Sequence, residues 1–163
     1  MPAITRVCFV CLGNICRSPT AEAVMSHRLG VTDAGVHVEV ESAGTGDWHV
    51  GHPPDGRARE EAARHGVAMG GVARQFTVDD FDRFDLVLAM DASNLEALRR
   101  IAPTGEAAGK VHLLREYDPE AHGDLDVPDP YFGGARGFAE VFDMVDRSVT
   151  GLIAHIGSSQ PGA

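Results

Sequence analysis

The stretch Cys11-Leu12-Gly13-Asn14-Ile15-Cys16-Arg17-Ser18 sets a thiol and a guanidinium six positions apart. A turn of that length can wrap the backbone N–H groups of residues Leu12 to Ser18 around a tetrahedral oxyanion. Arg17 would supply a planar, two-pronged donor, and a following helix N-terminus would add positive potential. Such a site fits one phosphate. The same field favours thiolate over thiol at Cys11, which becomes a nucleophile at neutral pH, and the Ser18 hydroxyl can stabilise the anion further. The competing reading is a small buried residue beside a surface arginine. The placement weighs against it: the stretch follows an apolar run, contains Gly13, and ends at Ser18-Pro19, where a helix can begin.

The elements that would position this turn follow from the pattern of the chain. Ile4 to Val10 is short, apolar and rich in β-branched residues, as a strand buried on both faces should be. From Ser18-Pro19 to Leu29, Ala21, Val24, Met25 and Leu29 recur on one helical face. Val36 to Val40 alternates and reads as a second strand, with Ser42-Ala43-Gly44-Thr45-Gly46 as the loop after it. A second helix is expected over Pro54 to His65, ending at Gly66. Asp85 to Met90 reads as a third strand, Ala92 to Ile101 as a third helix, and Val111 to Leu114 as a fourth strand. Asp118 to Gly134 has acids, prolines and glycines without periodicity and reads as a long functional loop. Phe138, Val141, Phe142, Val145, Val149, Leu152, Ile153 and Ile156 then define a terminal amphipathic helix.

Strands alternating with helices predict an α/β fold, a parallel sheet with right-handed crossovers and helices on its faces. Ligands of such sheets sit beyond the carboxyl ends of the strands, and the loops at 11–18, 42–48 and 91–94 would line one crevice there. The 163 residues, 44% of them apolar, fit a single domain, expected over 1–157, with 158–163 as a frayed tail. The 19 glycines and 9 prolines make up roughly one residue in six, too few for a low-complexity chain.

Charge narrows the functional classes. The net charge is −10 and Lys110 is the single lysine beside 13 arginines, a bias that fits GC-rich, bacterial coding. No basic stripe exists to track a nucleic acid, so nucleic-acid binding is excluded and any anion site must be compact. No apolar run suits a membrane span or a signal peptide, so no membrane association and a cytoplasmic location are expected. Three cysteines, at 8, 11 and 16, do not form a disulfide framework and read as reduced thiols, Cys8 as core. Eight histidines lack metal-ligand spacing, and no metal or cofactor is expected. The acidic run Asp79, Asp80, Asp82 and Asp85 reads as a solvated loop. No large exposed apolar face is marked, and a monomer is expected.

CLGNICRSP closely resembles the phosphate-binding loop of the low-molecular-weight protein tyrosine phosphatases. The resemblance continues through SAGT at 42–45, WHVGHPPDGRA at 48–58, VARQFT at 72–77, MDASN at 90–94 and DVPDPYFG at 126–133. It implies a four-stranded parallel sheet flanked by helices in three layers. It implies, too, hydrolysis of phosphotyrosine in proteins and of aryl phosphates through a cysteinyl-phosphate, without a metal. By position, Cys11 resembles the nucleophile, Arg17 the phosphate clamp, Ser18 the thiolate-stabilising hydroxyl and Asp129 the general acid. By residue chemistry alone Asp118, Asp124 and Asp126 are rivals of Asp129 in the same loop.

The resemblance further places Trp48 at the rim of the pocket. Tyr131 and Phe132 are candidates for the same aromatic wall or for packing anchors, and His49 for substrate contact. Asn14 and Ser42 match positions that bond to each other and hold the phosphate loop in shape. Many relatives add a histidine to that network where this chain has Gly71, which makes the rigidity of the loop a question for the structure. Cys16 matches a cysteine able to shield the nucleophile by a reversible disulfide; alternatively it is a small buried thiol. Partners implied are phosphotyrosyl proteins and inorganic phosphate or similar oxyanions. An arsenate reductase shares this fold and loop but resolves its adduct with later cysteines, and none follows Cys16. A non-catalytic phosphate-binding module is the third reading, though it would normally lack one of Cys11, Arg17 and Asp129.

Overall fold

The computed structural model describes residues 4–31, 36–131 and 135–159. Four strands form one parallel sheet in the order β2-β1-β3-β4: β1 (Thr5–Cys11), β2 (Val38–Gly44), β3 (Leu86–Ala89) and β4 (Val111–Leu113). β1 pairs with β2 from Thr5–Val38 to Cys11–Gly44 and with β3 from Val7–Leu86 to Val10–Ala89. The central strand is therefore apolar throughout its paired length, because both of its faces are covered.

The two-residue period of the strands sorts the side chains into two cores. Val7, Phe9, Cys11, Leu88 and Met90 point to one face, where they meet α1 (Arg17–Val31), α2 (Gly56–Arg64) and α6 (Ala135–Ser159). Cys8, Val10, Val87 and Ala89 point to the other, where Phe76, Phe81, Phe84, Leu98 and Ala107 close over them. That second layer comes from α3 (Asp80–Arg83), α4 (Ala92–Ile101) and α5 (Gly105–Ala108), with the segments between them. A 3-10 turn, Leu114–Tyr117, leads from β4 into the loop before α6. All eight apolar residues expected to define the last helix are buried. That helix continues through Ser159, two residues past the expected end of the domain, and 160–163 lie outside the described residues.

Four expectations change. β2 begins at Val38 and runs through Ser42, Ala43 and Gly44, so these small residues are strand and the loop starts at Thr45. Backbone pairing with Phe9, Val10 and Cys11 overrides their weak strand propensity. The second helix starts at Gly56, capped by the Asp55 carboxylate on the Arg57 N–H, so Pro54 stands outside it. The fourth strand ends at Leu113, where the 3-10 turn takes Leu114.

The acidic run at 79–85 is solvated at Asp79, Asp82 and Asp85, as expected, but it is not all loop and Asp80 is buried. It contains α3, and Asp80, only 2% exposed, accepts hydrogen bonds from the Thr77 N–H and hydroxyl and from Arg74 and Arg83. Burial acts to raise the Asp80 pKa, but the Arg74, Thr77 and Arg83 contacts outweigh it and hold the carboxyl below its ordinary value of 3.8. A folded-state pKa below the unfolded one adds stability above that value and loses it as pH falls through the folded pKa. Asp80→Ala is expected to cost about 2 kcal/mol at neutral pH by removing the acceptor that Thr77, Arg74 and Arg83 share, while Glu41 still pairs both guanidiniums. Urea unfolding followed by circular dichroism checks this: the two proteins should differ at pH 7 and converge as pH drops below 3.8.

Candidate active site

β1 ends at Cys11 in the centre of the sheet and α1 begins at Arg17, so five residues must turn the chain back over the strand end. Asn14 takes φ +56, the single left-handed non-glycine among the described residues. Asn tolerates that region better than most residues. Here its side chain is also held on both sides: Nδ2 donates to Ser18 Oγ at 2.8 Å and Ser42 Oγ at 3.0 Å, and Oδ1 accepts the Arg74 N–H at 3.1 Å. Ser42 in turn donates to Glu22 Oε1 at 2.5 Å. Glu22, which sequence reasoning missed, completes the network from α1. Gly71 lies exposed with φ +81, so the loop is braced by a carboxylate and by the Arg74 backbone.

The same network limits the bonding of Ser18. Its oxygen receives Asn14 Nδ2, so its hydrogen is free to point to Cys11 Sγ at 3.0 Å or to the Ala43 carbonyl at 3.3 Å. Cys11 Sγ also accepts the Asn14 N–H at 3.2 Å. The Asn14 N–H and the Ser18 hydroxyl thus both lie within hydrogen-bonding distance of the sulfur of a residue that is only 3% exposed. Gly44 is needed beside the turn. A Cβ at that position would stand 2.8 Å from the Leu12 carbonyl oxygen, so only glycine lets β2 pass this close to the loop.

Arg17 is 3% exposed, and its Nη1 donates to Asp91 Oδ2 at 2.7 Å and to the Val127 carbonyl at 3.0 Å. Nη2 lies 3.7 Å from Asp129 Oδ2. Burial works against the charge of Arg17, but Cys11, Asp91 and Asp129 outweigh it and raise the pKa further. Asp91 caps α4 through the Asn94 N–H while holding Arg17. The side chain of Asp129 is 41% exposed, and its Oδ1 accepts the Tyr131 N–H at 3.0 Å.

The rivals of Asp129 have other tasks. Asp118 is buried and paired with Arg115 and Arg147, Asp126 accepts the Ala92 N–H, and Asp124 accepts the Asp126 N–H. Asp118 is therefore a structural anchor within the loop that the sequence marked as functional.

Cys11, Leu12, Gly13, Ile15, Cys16, Arg17, Trp48, His49, Asp129 and Tyr131 line one cavity of about 210 Å³. The segment at 42–48 reaches it through Trp48, whereas the 91–94 loop does not line it, because Asp91 is turned to the Arg17 guanidinium instead. Trp48 is 69% exposed, and its indole lies against Gly46, where a Cβ would overlap the ring. The His49 ring is 6.1 Å from that of Tyr131, so these two close one side of the mouth. Phe132 lies outside the described residues.

Cys8, Cys11 and Cys16 are all free thiols. Cys16 packs with Ile15, Ala58, Ala73 and Phe138. Burial, with the nearby charges of Asp55, Cys11 and Asp129, pushes its thiol up to about 12. Burial likewise pushes Cys8 up, on the far face of β1. Among the described residues no group of three His, Cys, Asp or Glu side chains gathers as a metal site. No described helix is long and apolar enough to cross a membrane.

A cysteine and an arginine at the two ends of the turn between β1 and α1, with a carboxyl on another loop 3.7 Å from that arginine, are the groups that a cysteine-dependent phosphatase class of site requires. Residues 6–161 match the family described as low molecular weight phosphotyrosine protein phosphatase, and the chain belongs to that family. It is 55% identical over 152 residues to the low molecular weight protein-tyrosine-phosphatase of Streptomyces coelicolor, covering 93% of each chain. The human low molecular weight phosphotyrosine protein phosphatase is 44% identical over 148 residues, covering 89% of this chain and 91% of its own. The crystal structure of a protein tyrosine phosphatase from Entamoeba histolytica with Hepes in its active site superposes with a TM-score of 0.89 at 32% identity. That match covers 95% of this chain and 98% of the other.

Proposed function

We propose that the protein hydrolyses phosphotyrosine in proteins, and small aryl phosphates, through a cysteinyl-phosphate formed on Cys11. The observation that carries this reading is the convergence of three groups on one cavity: Cys11 Sγ with the Asn14 N–H and Ser18 hydroxyl beside it, the Arg17 guanidinium, and the Asp129 carboxyl 3.7 Å from Arg17. In the first step the Cys11 thiolate attacks phosphorus and the bond to the phenolic oxygen breaks. The protonated Asp129 carboxyl gives its proton to that leaving oxygen. In the second step the Asp129 carboxylate takes a proton from water, whose oxygen attacks phosphorus. The S–P bond then breaks, phosphate leaves and the thiolate returns.

Backbone N–H groups of Leu12 to Ser18 and the Arg17 guanidinium would bind the phosphoryl oxygens throughout and gain strength as charge spreads over them in the transition state. Trp48, with His49 and Tyr131, would hold the aryl ring at the mouth. Arsenate reduction would require a resolving thiol. Cys8 is buried on the opposite face of the sheet, and only Cys16 stands near Cys11. A non-catalytic role is disfavoured because all three reacting groups are gathered. The three free cysteines support a reducing, cytoplasmic location.

The test is turnover of p-nitrophenyl phosphate at mildly acidic pH with a chelator present. The reduced, unaltered protein should turn over, and Asp129→Ala should lose about 10²- to 10³-fold in kcat/KM, the usual share of a general acid. No turnover in the reduced protein would overturn the reading.

A further inference from the structure

The segment carrying Asp129 has no helix or strand to hold it, yet a general acid must be placed to within a fraction of an ångström of the leaving oxygen. Before Asp129 the segment is pinned at Val127, by the Met90 carbonyl and Arg17; after Asp129 it is reached by Arg57, in the first turn of α2. Its Nη2 donates to the Tyr131 carbonyl at 2.9 Å, and its guanidinium stands 5.6 Å from the Tyr131 ring centroid and 4.7 Å from that of Phe138. Arg57 is itself fixed by Asp55, through Nε to Oδ1 at 3.2 Å and Nη2 to Oδ2 at 3.1 Å. Asp55 caps α2 and donates its own N–H to the Ile15 carbonyl of the phosphate loop at 2.8 Å. Tyr131, held by its carbonyl, passes the constraint back, because its N–H is bonded to Asp129 Oδ1.

We infer that Arg57 is a positioning residue for the general acid, tying the Asp129 loop to the same α2 start that braces the phosphate loop. The inference rests on the assignment of Asp129 above. Arg57 touches no reacting atom, so its loss should act only where the acid is needed. A phenolate of low basicity leaves without a proton, whereas a basic one does not. Lysine would keep the charge but not the planar fork shared between Asp55 and Tyr131, nor the face against two rings.

The experiment measures kcat/KM for the unaltered protein, Asp129→Ala, Arg57→Ala and Arg57→Lys on a series from 2,4-dinitrophenyl to phenyl phosphate, together with inhibition by inorganic phosphate. Arg57→Ala and Arg57→Lys are expected to lose roughly ten- to a hundredfold on phenyl phosphate and less than about twofold on the dinitrophenyl ester. Phosphate inhibition should stay unchanged. A uniform loss across the series, or a matching loss of phosphate binding, would show Arg57 acting through the phosphate loop or through general stability and would overturn the inference. A leaving-group dependence in both Arg57 variants equal to that of the unaltered protein would overturn it too. If Asp129→Ala itself shows no steeper dependence, the assignment of the acid fails and the inference falls with it, a result distinguishable from failure of Arg57 alone.

Discussion

Cys11→Ser is expected to lose at least about 10⁴-fold in turnover of any aryl phosphate, the scale on which removal of an attacking nucleophile acts. The fold should remain, because a hydroxyl can accept from the Asn14 N–H and exchange a hydrogen bond with Ser18 as the sulfur does. Oxyanion binding should survive or improve, since the negative charge of a thiolate no longer opposes the incoming phosphate while Arg17 and the loop N–H groups are untouched. Rapid-quench detection of a phosphorylated protein intermediate in the unaltered chain and its absence in Cys11→Ser would check the covalent step. Calorimetric titration of the variant with phosphate would check the binding. Substantial residual turnover in the variant would mean that the nucleophile lies elsewhere.

Arg17→Lys is expected to lose about 10³-fold in kcat/KM, despite keeping the charge. In the structure one guanidinium nitrogen is committed to Asp91 and the Val127 carbonyl, which leaves the Nη2 side, near Asp129, for a phosphoryl oxygen. A single ammonium cannot anchor to the start of α4 and clamp an oxyanion at once. Left near Asp91, it would withdraw from the phosphate; drawn to the phosphate, it would leave the Asp91 carboxylate and the Val127 carbonyl without their donor. Inhibition by inorganic phosphate should weaken by at least about tenfold in the same variant. Kinetics on p-nitrophenyl phosphate and phosphate competition read both effects, and near-normal values would remove Arg17 from the clamp role.

Much of this architecture was legible before folding was considered. The strand β1, the helix over 92–101 and the eight buried positions of α6 follow from hydrophobic periodicity, a local property carried by neighbouring residues. So does the Cys11 to Ser18 segment as one continuous turn between a strand and a helix.

What the tertiary structure decided lies in contacts between residues far apart in the chain. Ser42 to Gly44 are strand because β1 offers them partners, which outweighs three small residues of poor strand propensity. Asp80 and Asp118 look like any other acids in acid-rich segments, and only the approach of Arg74, Arg83, Arg115 and Arg147 made their burial tolerable. Glu22 and Asp91 joined the site by reaching Ser42 and Arg17 from other elements. Residue types and local spacing set which chemistry was available. Which carboxylate faces the guanidinium, and which ones merely hold the chain, depended on distances that only the folded sheet brings below 4 Å.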